Sequence, residues 1–176
     1  ANTITFDASL DGTPIVLTLT GSADDTSALG DLDITTEITI DGQGQEITID
    51  GGSDRASGGS NAGIGERVIH VTGSGNLTLE GITVTGGNAI DNGGFSRTGG
   101  GIAVLGGGTA AINNSTITGN FAEGNGGGVF SNGTGTTLTI TNTTISNNRQ
   151  INGFGAGLAN NSLATTTVVN ATISGN

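Results

Sequence analysis

Carboxylates are the residues most able to do chemistry in this chain, and two of them, Asp24 and Asp25, stand side by side in "GSADDTSALGD". Glycoside hydrolysis uses two carboxyl groups, one as acid and one as base or nucleophile, facing each other across a scissile bond. Adjacent residues in a polar loop segment do not face each other in that way. The later acids Glu66, Glu80, Asp91 and Glu123 fall in no common register with one another. Elimination on a uronate needs a cation to neutralise the carboxylate and a basic group to take the proton. Lysine is absent, and Arg55, Arg67, Arg97 and Arg149 are scattered through loops and strand starts. Tyrosine and tryptophan, the usual platforms for sugar rings, are missing as well. No catalytic residue is assigned on this reading, and the chain is expected not to be an enzyme.

Metal chemistry has two starting points. Asp41, Asp50 and Asp54 lie in glycine-rich turns, where carboxylate and carbonyl oxygens suit a hard cation such as calcium. The GGxGxDxUx nonapeptide of calcium-binding β-rolls is not matched. The sole histidine, His70, sits in "RVIHV" between Ile69 and Val71. With those neighbours turned inward it is expected to face solvent. One histidine with no cysteine and no aligned acid does not make a transition-metal site. Calcium is therefore the one cofactor considered, and otherwise none is expected.

Net charge is −11, and eleven of the fifteen acids lie within residues 1–54. Such a chain repels nucleic acid and anionic membrane surfaces. No run of about 18 apolar residues is present to insert into a bilayer. The absence of cysteine excludes disulfides.

The elements that carry these residues follow from repetition. "TNTTISNN" at 141–148 returns as "NNSTITGN" at 113–120 and "VNATISGN" at 169–176. Ile117, Ile145 and Ile173 are 28 residues apart, and Val84 precedes Ile117 by 33. Leu79, Ile112, Ile140 and Val168 keep the same intervals. "GGGIAV", "GGGVFS" and "GAGLAN" share the register, and "RVIHV" heads an earlier copy. Each copy holds three short alternating runs, which means strands, and leaves no room for a helix. A chain that repeats strand and turn without reversing coils upon itself. The fold expected is all-β, a parallel β-helix of three short strands per coil and about five or six coils.

One domain is expected over 1–176. Residues 1–35 read as an N-terminal cap, 36–98 as irregular coils with an inserted loop at 51–66, and 99–176 as regular coils of about 28 residues. Gly81, Asn114, Asn142 and Asn170 share one repeat position. Glycine and asparagine have in common a tolerance of the left-handed backbone region, so a tight turn with φ > 0 is expected there. Stacked Asn114, Asn142 and Asn170 would then pass amide hydrogen bonds from coil to coil. Asn88, Asn120, Asn148 and Asn176 are read as a second such series. Asn142→Val is expected to cost more than a change at exposed Thr139.

The pairing of GG-[AILV] with apolar-x-x-Asn resembles the repeats of chlamydial-type polymorphic outer-membrane proteins and of bacterial right-handed β-helix surface proteins. Here Gly100-Gly101-Ile102, Gly127-Gly128-Val129 and Gly157-Leu158 pair with Ile117…Asn120, Ile145…Asn148 and Ile173…Asn176. "ITFDASLDGT…LTLTG" and "ITIDGQG" are similar to the N-terminal part of that bacterial group. The polymorphic proteins carry Phe where this chain has Ile. The resemblance implies a right-handed coil and a secreted, extracellular or cell-surface setting. The same fold hosts lyases, hydrolases and tailspikes, so function must come from the site.

Two surfaces emerge. Outward residues of the third strand form T-x-T/S rows: Thr83 and Thr85, Thr116 and Thr118, Thr144 and Ser146, Thr172 and Ser174. Rows about 4.8 Å apart, with ~6.6–6.8 Å between hydroxyls, resemble the ice-contacting face of some solenoid antifreeze proteins. Leu158, Val168 and Ile173 of the C-terminal coil would present an apolar cross-section to another chain stacked end to end. The expected role is a non-catalytic structural or adhesive module, with protein chains, carbohydrate or a host surface as partners. Ice binding and a carbohydrate-active enzyme are the alternatives.

Overall fold

Threonine and β-branched aliphatics in alternation favour strands, and glycine or asparagine between them lets the chain bend without steric penalty. The computed structural model describes residues 2–18, 30–59, 66–90 and 97–176. Among these the strands fall into six coils. The first holds β1 (Asn2–Ile4) and β2 (Ile15–Val16), and the second β3 (Leu32–Ile34), β4 (Glu37–Asp41) and β5 (Ile47–Asp50). The third holds β6 (Ile69–Thr72), β7 (Asn76–Glu80), β8 (Ile82–Thr85) and β9 (Asn88–Ala89). The fourth comprises β10 (Ile102–Leu105), β11 (Thr109–Asn113), β12 (Thr116–Thr118) and β13 (Phe121–Ala122). β14 (Val129–Asn132), β15 (Thr137–Thr141), β16 (Thr144–Ser146) and β17 (Arg149–Gln150) form the fifth. β18 (Leu158–Asn161), β19 (Thr165–Val169) and β20 (Thr172–Ser174) form the sixth.

Equivalent strands of successive coils pair in parallel. One sheet runs β3-β6-β10-β14-β18, a second β1-β4-β7-β11-β15-β19, and a third β2-β5-β8-β12-β16-β20. A short fourth sheet, β9-β13-β17, lies beside the third. This is a parallel β-helix. The register keeps like on like: Ile112 pairs with Leu79 and Ile140, and Ile117 with Val84 and Ile145. A one-residue slip would turn every apolar side chain outward, so the alternation itself fixes the register.

Inside the coil, Ile69, Leu77, Leu79, Ile82, Val84, Ile102, Ile112, Ile117, Leu138, Ile140 and Ile145 form a continuous buried core. It is narrow and almost wholly aliphatic, as a composition with five phenylalanines and no other aromatics requires. A second, smaller cluster of Ala103, Leu105 and Phe130 lies on the opposite face of the first sheet, packed by Ala159. That face alternates with the inward Ile102, Val104 and Val129, and the sheet is buried on both sides there.

Residues 2–18 add a coil to two sheets: Thr3 pairs with Thr39 and Ile15 with Ile49. Phe6 and Leu10 pack on the core beside it. Asp24, Asp25 and Asp91 lie outside the described residues. Of the inserted segment, residues 51–59 and Glu66 are described, and they include a 3₁₀ turn, Arg55–Ser57.

Candidate functional site

Two columns of asparagine shape the turns that flank the third sheet. At the first turn, Gly81, Asn114, Asn142 and Asn170 have φ of 64°, 49°, 50° and 50°. Asn142 Nδ2 donates to Asn114 Oδ1 at 3.2 Å, and Asn170 Nδ2 to Asn142 Oδ1 at 2.7 Å. The chain of amides ends on Glu80, whose Oε1 accepts from Asn114 Nδ2. All three asparagines are exposed, so water competes for these bonds. What the position demands is backbone tolerance. Asn142→Val is expected to cost about 1–3 kcal/mol through a β-branched residue at positive φ, while Asn142→Gly stays within ~0.5 kcal/mol. Urea melts of the two variants check this.

The residues after Asn114 and Asn142 are where burial matters, a role the sequence reading missed. Ser115 Oγ accepts from Ile82 N at 3.2 Å and donates to Asn113 O at 2.6 Å. Thr143 Oγ1 repeats this one coil on, accepting from Ser115 N at 3.3 Å. Both hydroxyls are buried, and each accepts from a backbone amide of the preceding coil.

The second column differs from its expected form. Positive φ falls one residue earlier, at Gly119 (66°), Asn147 (54°) and Gly175 (65°). Asn120 and Asn148 turn their amides inward and are buried. Asn120 Oδ1 accepts from Gly87 N at 3.0 Å, and Asn148 Oδ1 from Asn120 N at 3.0 Å. Asn176 Oδ1 accepts from Asn148 N at 3.0 Å. The NH₂ groups donate to Val84 O, Ile117 O and Ile145 O in the preceding coils, at 2.9–3.1 Å. Asn88 is not part of the column. It pairs with Phe121, one place on, and Gly87 holds its rung.

The rows of hydroxyls are in register on the third sheet. Thr83, Thr116, Thr144 and Thr172 form one column, joined by Thr48. Thr118, Ser146 and Ser174 form another, and Thr85 pairs with Asp50. Thr118 Oγ1 and Ser146 Oγ lie 3.3 Å apart, so these two rows are bonded to each other. A groove of about 650 Å³ runs along the margin of this face. Ser53, Asp54 and Ser57 of the inserted segment form one wall, with Thr85, Asn147 and Arg149 opposite. Arg55 and Arg149 place their guanidinium carbons 5.9 and 5.7 Å from the Phe121 ring centroid. Arg149 Nη1 donates to Arg55 O at 3.4 Å, which anchors the inserted segment across the later coils.

The calcium candidates do not converge. Asp41 Oδ1 accepts from Gln43 N and Asp50 Oδ1 from Gly52 N, both at 2.7 Å, each closing its own tight turn. Asp54 precedes the 3₁₀ turn and lines the groove. Asp41 instead stands beside Glu80 in the next coil.

His70 departs most from expectation. It alternates with inward Ile69 and Val71, yet it is 3% exposed. Asp33 is its partner in the parallel register, and His70 Nδ1 lies 3.0 Å from Asp33 Oδ1. Arg67 is fully buried in the same region, its Nε 3.8 Å from Asp31 Oδ2. The acids that align with the histidine come from the coil before it, across the 51–66 insertion.

At the C-terminal coil, Leu158 is half-buried against the core, while Val168 and Ile173 are 43% and 48% exposed on the outermost strands β19 and β20.

Coils of constant register, glycine-backed turns and an inward asparagine column define a parallel β-solenoid that presents a repetitive polar face. The family model for the right-handed β-helix region matches residues 33–176, and the chain belongs to that family. No curated protein and no solved structure matches it.

Proposed function

We propose that the chain is a non-catalytic, extracellular structural or adhesive β-helix module, and that the hydroxyl face of its third sheet, with the groove beside it, contacts carbohydrate. The observation that carries the reading is the in-register stacking of Thr116, Thr144 and Thr172 next to a groove of polar side chains. Hydroxyl and amide groups at a fixed coil repeat match the repeating hydroxyls of an extended glycan. The scaffold holds them without ordering cost at binding. Asp54 is the single carboxylate among the described groove residues, whereas glycoside hydrolysis uses two. The setting at a cell surface rests on the resemblance of the paired glycine and asparagine motifs.

A panel of neutral and uronate-containing polysaccharides tests this. Binding is expected, without cleavage, and Thr116→Val with Thr144→Val is expected to weaken it by at least ~10-fold, each lost polar contact being worth about 1 kcal/mol. Reproducible cleavage, or no binding to any member, overturns the reading. The same hydroxyl spacing favours ice as a second ligand. An ice-recrystallisation assay in which Thr116→Tyr and Thr144→Tyr change nothing removes it.

A further inference from the structure

We infer that Asp31, Asp33 and His70 form a binding site for a divalent metal ion of the zinc type. Strands β3 and β6 pair Leu32 with Ile69, Asp33 with His70 and Ile34 with Val71. Leu32, Ile34, Ile69 and Val71 pack in the core, so alternation puts Asp31, Asp33 and His70 together on the sheet's other face. One ligand atom from each lies within 4.8 Å of the other two. His70 Nδ1 and Asp33 Oδ1 are 3.0 Å apart, a separation that two ligands on one ion with bonds of about 2.0–2.2 Å can span.

The surroundings call for positive charge. The side chains of Asp33 and His70 are each 4% exposed, and that of Asp31 is 3% exposed. Two carboxylates so close and so far from water repel each other. Arg67 at 3.8 Å offsets Asp31. Asp33 Oδ2 is buried with no hydrogen-bond donor. A cation beside Asp33 relieves both the repulsion and the bare oxygen, and a neutral imidazole completes its coordination. One nitrogen and two carboxylate oxygens suit zinc and its neighbours. Calcium, which takes 6–8 oxygens, is poorly served by this set. Zinc bound by three side chains keeps a fourth position for water.

The chain has one histidine, so a single imidazole signal reports on the site. The untagged full chain, treated with chelator, is titrated with zinc and separately with calcium while the ring ¹⁵N resonances of His70 are followed by NMR. Zinc is expected to shift the nitrogen that it binds, saturating at one ion per chain, and calcium to leave the ring unchanged. Asp33→Asn is expected to weaken zinc binding by at least ~10-fold, the loss that outer-shell changes already produce. Asp54→Asn, in the groove, is expected to leave it unchanged. Unaltered His70 resonances at millimolar zinc overturn the site, whatever the stability of the variants. Equal shifts with calcium overturn its assignment to a zinc-type ion.

Discussion

Replacing Asn120 by leucine is expected to destabilise the coil stack by about 3–5 kcal/mol, and at the upper end to prevent folding. The side chain is buried and near leucine in size, so the loss is not one of volume. Its Oδ1 takes the Gly87 amide, and its NH₂ donates to Val84 O, Thr118 O and Asn148 Oδ1. Leucine leaves the Gly87 amide and the Val84 carbonyl without those partners inside the stack. Each buried group stripped of its partner costs roughly 1–3 kcal/mol. Asn142→Gly, in the exposed column, removes the bonds to Asn114 and Asn170 but keeps the left-handed turn and leaves those groups in water, and should cost no more than ~0.5 kcal/mol. Chemical denaturation of the two variants side by side separates the columns. Equal losses would mean that the inward amides do not hold the coils together.

Gly128→Ala is the other substitution with a large expected effect, of about 3 kcal/mol or more. A Cβ at this residue would lie 2.6 Å from Gly157 O and 2.8 Å from Asn148 Nδ2. The first atom is backbone in the next coil. The second is fixed by its bonds to Ile117 O and Asn176 Oδ1. Neither can yield without breaking a rung, and overpacking of this kind costs 1–3 kcal/mol even where side chains can shift. A Cβ on Gly101 would likewise lie 3.0 Å from Asn120 Nδ2, and one on Gly157 2.7 Å from Asn176 Nδ2. The glycine of GG-[ILV] and the asparagine of apolar-x-x-Asn are therefore two halves of one contact. A melting temperature for Gly128→Ala close to that of the parent would contradict this.

That contact explains why the architecture was readable. Ile117, Ile145 and Ile173 must stack on one another, so their spacing in the chain is the length of a coil. Asn114, Asn142 and Asn170 revealed the left-handed turn because few residues other than glycine and asparagine tolerate it. The inward column was harder to phase. In the third coil both Gly86 and Gly87 occupy the bend, and a glycine offers no side chain by which to align Asn88 correctly. Ser115 and Thr143 look like ordinary polar turn residues, and nothing local marks their hydroxyls as buried.

The Asp33–His70 pair was illegible for a different reason. Its partners are 37 residues apart, in a stretch where the 51–66 insertion breaks the period. No repeat spacing connects them, and only the parallel pairing of β3 with β6 brings them together. The groove has the same origin, since its outer wall is that insertion laid over later coils through Arg55, Phe121 and Arg149. The regular coils were visible from their periodicity. What distinguishes this chain from a uniform stack lies in segments that interrupt the periodicity.

The central claim is that an inward column of asparagine amides, not the exposed one, ties coil to coil. Hydrogen–deuterium exchange of the asparagine side-chain NH₂ protons, resolved by NMR, tests it directly. The Asn120 and Asn148 protons should exchange only as the stack opens, while those of Asn114 and Asn142 exchange at rates near those of free amides. Rapid exchange at Asn120 and Asn148 in a chain that is otherwise folded would contradict the account.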